Sequence, residues 1–482
     1  MNHNESELPR KVDRKAKLKI PHQPVPKRPV EVRVHDFDEV YLDYPVETAR
    51  VEANRCLLCP GAPCVKACPV HNNIPLAMYR ISQGNLLGAA EVFRETSNMP
   101  EICGRVCPQA VLCEGACVVG KRSTAPVAIG KLEATVADYQ RCELGSFPHP
   151  ELPPPTGHQV AAVGSGPASM VVAEELVKRG HNVTIFEAWP KPGGILIYGI
   201  PSFKLSKALV EEKIAFLETL GVKFVTNTVI GKDRTVDDLL SEFDAVFLGT
   251  GAATPVPLRA PGTDLKGVYQ ATNFLIRTNL DPDKYLPPNM HKRPEVQSKR
   301  VAVIGGGDTA MDCVRTAVRL QAADVVCYYR RTEKEMPGNE RDRELAKEEG
   351  GRFVFLTAPT ALHGDEQGNL RRMTLIRMEL GEPDESGRRR PIPIEGSEFD
   401  VDVDVVILAL GYWPDPLMKE TVPGLKTDRW GLIIVDEETG VTSRPGVYAG
   451  GDNVHGADLV VTAMAAARRA AQGMDEYLRS LS

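Results

Sequence analysis

From residue 156 onward the chain carries two alternating hydrophobic rhythms. Short apolar runs, with the length and β-branched content of buried strands, end on glycine; longer stretches with helical periodicity follow. The order strand, glycine turn, helix, strand occurs twice. The first copy predicts a strand over 160–163, a turn over 164–169, a helix to Arg179 and a strand over 183–186. The second predicts a strand over 301–304, a turn over 305–310, a helix to about Leu320 and a strand over 325–329. Each copy is a βαβ unit of the doubly wound kind. Two more apolar strands run into Gly251 and Gly411, and a further Gly/Asp turn covers 446–452. The alanine-rich stretch 458–472 predicts a helix.

Before residue 156 the pattern differs. Short apolar stretches are interrupted by cysteine and proline, with helical pieces over 75–83 and 86–96. The segment 147–157 carries five prolines and reads as a linker. The first 29 residues lack an apolar core, so they are not a signal peptide; their Lys, Arg and Pro content predicts a basic mobile arm. Hydrophobic residues make up 42% and charged residues 25% of the 482, enough for several buried cores. A net charge of −6 gives no reason to expect nucleic-acid binding. With no apolar run of 18 residues, no membrane span is expected, and a cytoplasmic location is.

The first glycine turn is Gly-Ser-Gly-Pro-Ala-Ser. Gly164 permits a tight turn, Gly166 lets backbone approach a pyrophosphate, and Ser169 takes the third small position. The helix that follows offers unpaired N–H groups and a partial positive charge to that anion. Glu187, 23 residues after Gly164, stands where an acid would bind ribose hydroxyls. The second turn has the same logic through Gly305, Gly307 and Ala310, but its second strand ends in Arg330 and Arg331. Guanidinium pairs with a 2′-phosphate that an acid would repel, so NADP rather than NAD is expected.

Eight of the eleven cysteines lie between Cys56 and Cys117; Cys142, Cys313 and Cys327 stand apart. Without an export signal, clustered cysteines suggest metal rather than disulfides. The spacings are Cys56-x2-Cys59-x4-Cys64-x3-Cys68 and Cys103-x3-Cys107-x5-Cys113-x3-Cys117. Thiolates this close can wrap iron–sulfur cubanes. Structural zinc is the alternative, but a neighbouring flavin gives electron carriers a use. The nicotinamide domain has no Cys-x-x-Cys, which argues against disulfide reduction, and Cys313 and Cys327 read as packed thiols. No cysteine near the N-terminus could serve as a glutaminase nucleophile.

The run CLLCPGAPCVKACPVHNNIP, then CGRVCPQ, CEGAC and PVAIGKLE, together with GSGPAS, GGILIYGIPSFKL, GGGDTAMDC, YYRR and GVYAGGD, resembles the small subunit family of NADPH-dependent glutamate synthase. That family is shared with the large subunit of NADH-dependent ferredoxin:NADP oxidoreductase and the N-terminal half of dihydropyrimidine dehydrogenase. The resemblance implies an α/β protein: an N-terminal helical [4Fe–4S] domain, then two doubly wound dinucleotide-binding domains, one inserted in the other. The boundaries expected are 1–155 for the cluster domain, 156–280 and 412–482 for FAD, and 281–411 for NADPH. It also implies two interleaved clusters, one on Cys56, Cys59, Cys64 and Cys117, the other on Cys68, Cys107, Cys113 and Glu133, with Cys103 a packed non-ligand. Asp452 would meet the flavin ribityl chain after Gly451, the helix near Asp458 would face the flavin ring, and Gly194 and 198–201 would lie beside it. Gly251 and Gly411 would mark the crossings between domains. Electrons would pass from NADPH through FAD and the clusters to a larger glutamate synthase subunit or a ferredoxin-type partner. A non-catalytic assembly role is the reading from another class, and two intact glycine turns argue against it.

Overall fold

The computed structural model describes residues 7–122, 125–384 and 387–481. Five helices dominate the N-terminal part: Val46–Asn54, Ile74–Ser82, Leu86–Arg94, Pro100–Val106 and Ile129–Leu144. Their starts follow local chemistry. Asn73 and Asn85 cap the second and third by accepting backbone N–H bonds, and proline occupies the first turn at Pro75 and Pro100. The helices Pro100–Val106 and Ile129–Leu144 cross at Gly104. A methyl group there would lie 2.6 Å from both the Ala134 nitrogen and the Gly130 oxygen, so only glycine permits the approach.

Two five-stranded parallel sheets follow. The first has the order Val447–Ala449, Ala245–Leu248, Gln159–Val163, Asn182–Phe186, Lys223–Val225. The second has the order Val268–Gln270, Val405–Leu408, Arg300–Ile304, Asp324–Tyr329, Arg352–Phe355. The second is inserted in the first, as expected. The chain crosses between them on a two-stranded ribbon, Thr254–Pro255 against Tyr412–Trp413. This corrects the boundary expected at 280/281: the strand Val268–Gln270 pairs with Val405–Leu408, so the inserted domain begins after the ribbon. That strand is three residues long and half-buried, too short for its pattern to show. An antiparallel sheet of Thr357–Gly364, Leu370–Pro383, Arg389–Pro393 and Phe399–Asp402 is a further addition. The alanine-rich helix runs over Val460–Ser480.

One apolar core joins the N-terminal helices to the first sheet domain, running from Leu57 and Phe93 through Val171 to Met464 and Leu478. Its polar edge is equally shared. Asn98 donates to Glu175 at 2.9 Å and to the Met464 sulfur at 3.3 Å, and Arg468 pairs with Asn98 and Glu175. The inserted domain has a separate core.

The N-terminal segment is anchored from Glu7 onward, which corrects the mobile arm; residues 1–6 lie outside the described residues. Two of its cations fasten it: Arg14 on the Leu57 carbonyl at 3.2 Å and Lys17 on the Asn54 carbonyl at 2.8 Å. The buried Glu52 carboxylate accepts from the Gln23 nitrogen at 2.8 Å. Arg33, fully buried, reaches Glu349 of the inserted domain at 2.9 Å.

Glu349 also accepts from Arg315 and Arg319, at 2.9 and 2.6 Å. Both guanidiniums stack on Phe203 of the first sheet domain, 4.5 and 4.0 Å from its centroid. Burial is the largest single influence on Glu349 and would raise its pKa, but the hydrogen bonds and charges of Arg319 and Arg315 hold it down to about 2, from an ordinary 4.5. Stability from this carboxylate is present above about pH 4.5 and is lost as pH falls towards 2. Glu349→Leu leaves Arg319 without a carboxylate and Arg33 and Arg315 with one partner each, Glu348 and Asp342, and is expected to cost about 3–5 kcal/mol. The check is denaturant unfolding of both proteins near neutral pH and down the acid range, where only the wild type loses this contribution.

Candidate functional site

Parallel strands end together. In the first sheet Val163 is level with Phe186 and Leu248, and Leu248 with Ala449. Gly164, Glu187, Gly251, Gly451 and Asp452 therefore collect at one carboxyl edge, where open α/β sheets bind ligands. Gly166 precedes the helix Pro167–Val177, and the space where its side chain would stand is open. Gly194 leans on it with φ +52°; a methyl there would lie 2.7 Å from the Gly166 Cα. Ser169 faces the other way, towards Gly249, so the third small position serves helix–sheet packing. Glu187 is buried and accepts from the Ser165 nitrogen at 2.9 Å and the Trp189 nitrogen at 2.8 Å. Asp452 is half-buried, and burial pushes its carboxyl up to about 6. The Asn453 Oδ1 beside it is buried without a partner. Open backbone at a helix start, a glycine-lined approach and an orphaned polar atom fit a flavin dinucleotide. The helix expected near Asp458 starts at Val460, with a separate short helix Asp452–His455 before it.

The second sheet repeats the arrangement. Gly305 sits under the Ala409 carbonyl, Gly307 is open, and Ala310 packs into the core. Gly411 follows Val405–Leu408 at the same edge, bonded to the Val256 nitrogen. The two arginines part company. Arg331 is buried, donating to the Arg389 carbonyl and pairing with Asp384, both at 2.6 Å, so it braces the inserted antiparallel sheet. Arg330 is exposed and, among the described residues, has no hydrogen bond or ion pair. Gln270 at the neighbouring strand end has a buried, unpartnered Oε1.

The cysteines form two groups that cut across their order in sequence. Cys56, Cys59, Cys64 and Cys117 line one hollow with Leu57, Ile74, Met78 and Ile129. Burial first, and the charges of their neighbours in the group second, push the Cys56 and Cys64 thiols up to about 12. Cys68, Cys107, Cys113 and Glu133 are electrostatic neighbours of one another, with Cys103 hydrogen-bonded to Cys107. Burial raises Cys68 to about 11 and Glu133 to about 8. Cys113 also feels Cys64, so the two groups adjoin. Among the described residues no three His, Cys, Asp or Glu side chains converge on a point for a single ion. Thiols spread round a hollow suit a multinuclear cluster.

Three polar side chains here were not singled out from sequence. Asn72 donates to Glu133 at 3.2 Å and accepts from Thr96 at 2.6 Å, which orients the carboxyl. Lys204, half-buried, bridges Asp312 and Asp342 at 3.0 Å each and pins the two sheet domains together. Lys207, also beside 198–201, donates to the Leu196 carbonyl at 2.8 Å, and burial lowers it to about 7. The signal for both lysines was a cation inside the otherwise apolar run 195–209.

Two family models match: dihydropyrimidine dehydrogenase domain II, 4Fe-4S cluster, over residues 33–144, and pyridine nucleotide-disulphide oxidoreductase over 158–467. The small chain of glutamate synthase [NADPH] from Escherichia coli is 40% identical over 456 residues, covering 94% of this chain and 96% of that one. The chain belongs to the glutamate synthase small-chain family. It is an iron–sulfur oxidoreductase of pyridine nucleotides. Other family relatives are the putative oxidoreductase AegA of E. coli, 42% identical over 93% of this chain and 68% of that one, and the NADP(+)-dependent formate dehydrogenase subunit beta of Moorella thermoacetica, 38% over 87% and 60%. Mycobacterium tuberculosis FprA in complex with NADPH shares the fold of the family's sheet domains, with a TM-score of 0.57 at 22% identity over 67% of this chain and 85% of that one. No helix among the described residues is long and apolar enough to cross a membrane.

Gly194→Ala tests the flavin cradle. Strain at positive φ and the contact with Gly166 are expected to weaken flavin binding roughly tenfold or more. Flavin absorbance per protein after dialysis checks it.

Proposed function

We propose that the chain oxidises NADPH at the second sheet, holds FAD at the first, and passes electrons through two [4Fe–4S] clusters to a larger partner of the glutamate synthase kind. When bound, the flavin converts a hydride into single electrons and the clusters carry them. The observation that carries this reading is the grouping of the thiols into two adjoining sets on helices that share one core with the flavin domain.

The residues divide the work. The helix starts after Gly166 and Gly307 hold pyrophosphates, and Arg330 holds the 2′-phosphate while Arg331 braces its strand. Asp452 and Glu187 bind hydroxyls. Cys56, Cys59, Cys64 and Cys117 hold one cluster; Cys68, Cys107, Cys113 and Glu133 hold the other. The names of the relatives in glutamate synthase, in formate dehydrogenase beta and in NADPH-Fe(3+) oxidoreductase subunit beta support a partner subunit.

Anaerobic NADPH should bleach the flavin of the purified holoenzyme; an unbleached spectrum would restore the assembly-subunit reading. Co-purification with a large amidotransferase chain is the expected outcome for the partner. Arg330→Gln removes a charge-assisted hydrogen bond worth about 1.5–3 kcal/mol. KM for NADPH is expected to rise by about 10- to 100-fold, with NADH little affected. Glu133→Gln replaces a charged donor with a neutral one, so one cluster's midpoint potential should rise in an EPR-monitored titration. An unchanged or lower potential removes Glu133 from the ligand set.

A further inference from the structure

The two thiol sets differ in their surroundings. Cys68, Cys107 and Cys113 are buried, whereas in the first set only Cys117 is buried and Cys56, Cys59 and Cys64 are half-buried. The helix Pro100–Val106, which carries Cys103 and leads into Cys107, packs on Val460–Ser480 of the flavin domain. The first set lies under residues 10–19, which hold six cations and one acid.

Two of those cations are fasteners, Arg14 on Leu57 and Lys17 on Asn54. The side chains of Arg10, Lys11, Lys15 and Lys19 are exposed and have no hydrogen bond or ion pair among the described residues. Those of Lys66, Lys121 and Arg122 are exposed and equally unpaired. The charges of Arg14 and Arg122 both reach Cys59, and Lys17 and Cys56 act on each other. The first thiol set therefore opens through a positive collar, on a chain whose net charge is −6. Like charges gathered without counter-charges repel one another, and a complementary surface relieves that repulsion while steering encounter.

We propose that this collar is the docking face for an acidic one-electron carrier, a protein or subunit that accepts electrons from the cluster on Cys56, Cys59, Cys64 and Cys117. The proposal rests on the relay reading above. Its balance is simple: each NADPH gives up two electrons and one proton is released, so two carrier molecules are each reduced once. Position selects a redox partner over other anions, since the charges ring the half-buried thiols.

The test uses the reconstituted holoenzyme under anaerobic conditions, with NADPH as donor. Rubredoxin serves as an acidic acceptor and cytochrome c as a basic one. The comparison is with a Lys11→Glu, Lys15→Glu, Lys19→Glu, Lys121→Glu variant. Wild-type rubredoxin reduction should slow as ionic strength rises from about 0.01 to 0.1 M. In the variant it should fall about tenfold or more at low salt and lose its salt dependence, while cytochrome c reduction accelerates. Bleaching of flavin and clusters by NADPH should be the same in both proteins. Equal rates for both carriers in wild type and variant overturn the proposal, as does a wild type whose clusters bleach but which does not reduce rubredoxin. Unchanged rubredoxin reduction with lost binding to phosphatidylglycerol vesicles makes the collar a membrane contact and also overturns it. If flavin bleaches in the wild type while the clusters stay oxidised, the relay reading itself fails, and the collar's role falls with it.

Discussion

The crossing of Pro100–Val106 over Ile129–Leu144 at Gly104 is the contact on which the rest of the cluster domain depends. Backbone meets backbone there, and Gln109 closes the gap by donating to the Gly104 carbonyl at 3.0 Å. One helix leads to Cys107 and the other carries Glu133, so the close approach is what makes a carboxylate the neighbour of thiols 26 residues earlier. The same first helix leans on Val460–Ser480, which fixes the second thiol set against the flavin domain. Close-packed interiors transmit such constraints with little slack, and single-electron transfer is steep in distance. A side chain at position 104 would disturb both the spacing of Cys107 from Glu133 and the seat of Pro100–Val106 on Val460–Ser480.

The protein uses two kinds of seam. Cluster and flavin domains share an apolar core, with Met464 and Leu478 in the same packed set as Phe93 and Ile102. The nicotinamide domain is instead attached by charges: Lys204 between Asp312 and Asp342, and Glu349 among Arg33, Arg315 and Arg319. Buried ion pairs add little net stability over apolar packing, but they define register, because a shifted pairing leaves a charge uncompensated. The apolar seam therefore sets the distance electrons travel after the flavin. The ionic seam sets the orientation in which the nicotinamide domain meets it.

Much of this was legible in the sequence. Both βαβ units follow from glycine spacing, whereas the cysteine runs alone suggest two sets of four, and the interleaving and the inserted topology come only from the family resemblance. The strand Val268–Gln270 was not legible, since three half-buried residues give no period to read. The strand Leu370–Pro383 does alternate, but polar residues on its solvent face and the prolines around it hid the pattern. The N-terminal segment misled because composition suggests solvation, whereas its fate was decided by acceptors far away in sequence, Asn54, Leu57 and Glu349. Asn72 was hidden for the same reason: its partner Glu133 is 61 residues on.

The tandem glycine turns show how a motif divides between holding itself and holding a ligand. In the first, Glu187 accepts from Ser165 and from the Trp189 nitrogen and keeps acceptor capacity for a hydroxyl, while Ser169 is turned to the sheet. In the second, Ala310 is in the core and Arg331 is spent on Asp384 and the Arg389 carbonyl. What remains uncommitted is open backbone at Gly166 and Gly307, the remaining acceptor capacity of Glu187 and the guanidinium of Arg330. A buried polar group that already has partners gains little by adding a ligand, whereas an unpartnered one gains a full hydrogen bond. Of the arginine pair, Arg330 alone keeps its guanidinium available at this edge, and Arg331 acts on the strand end that presents it.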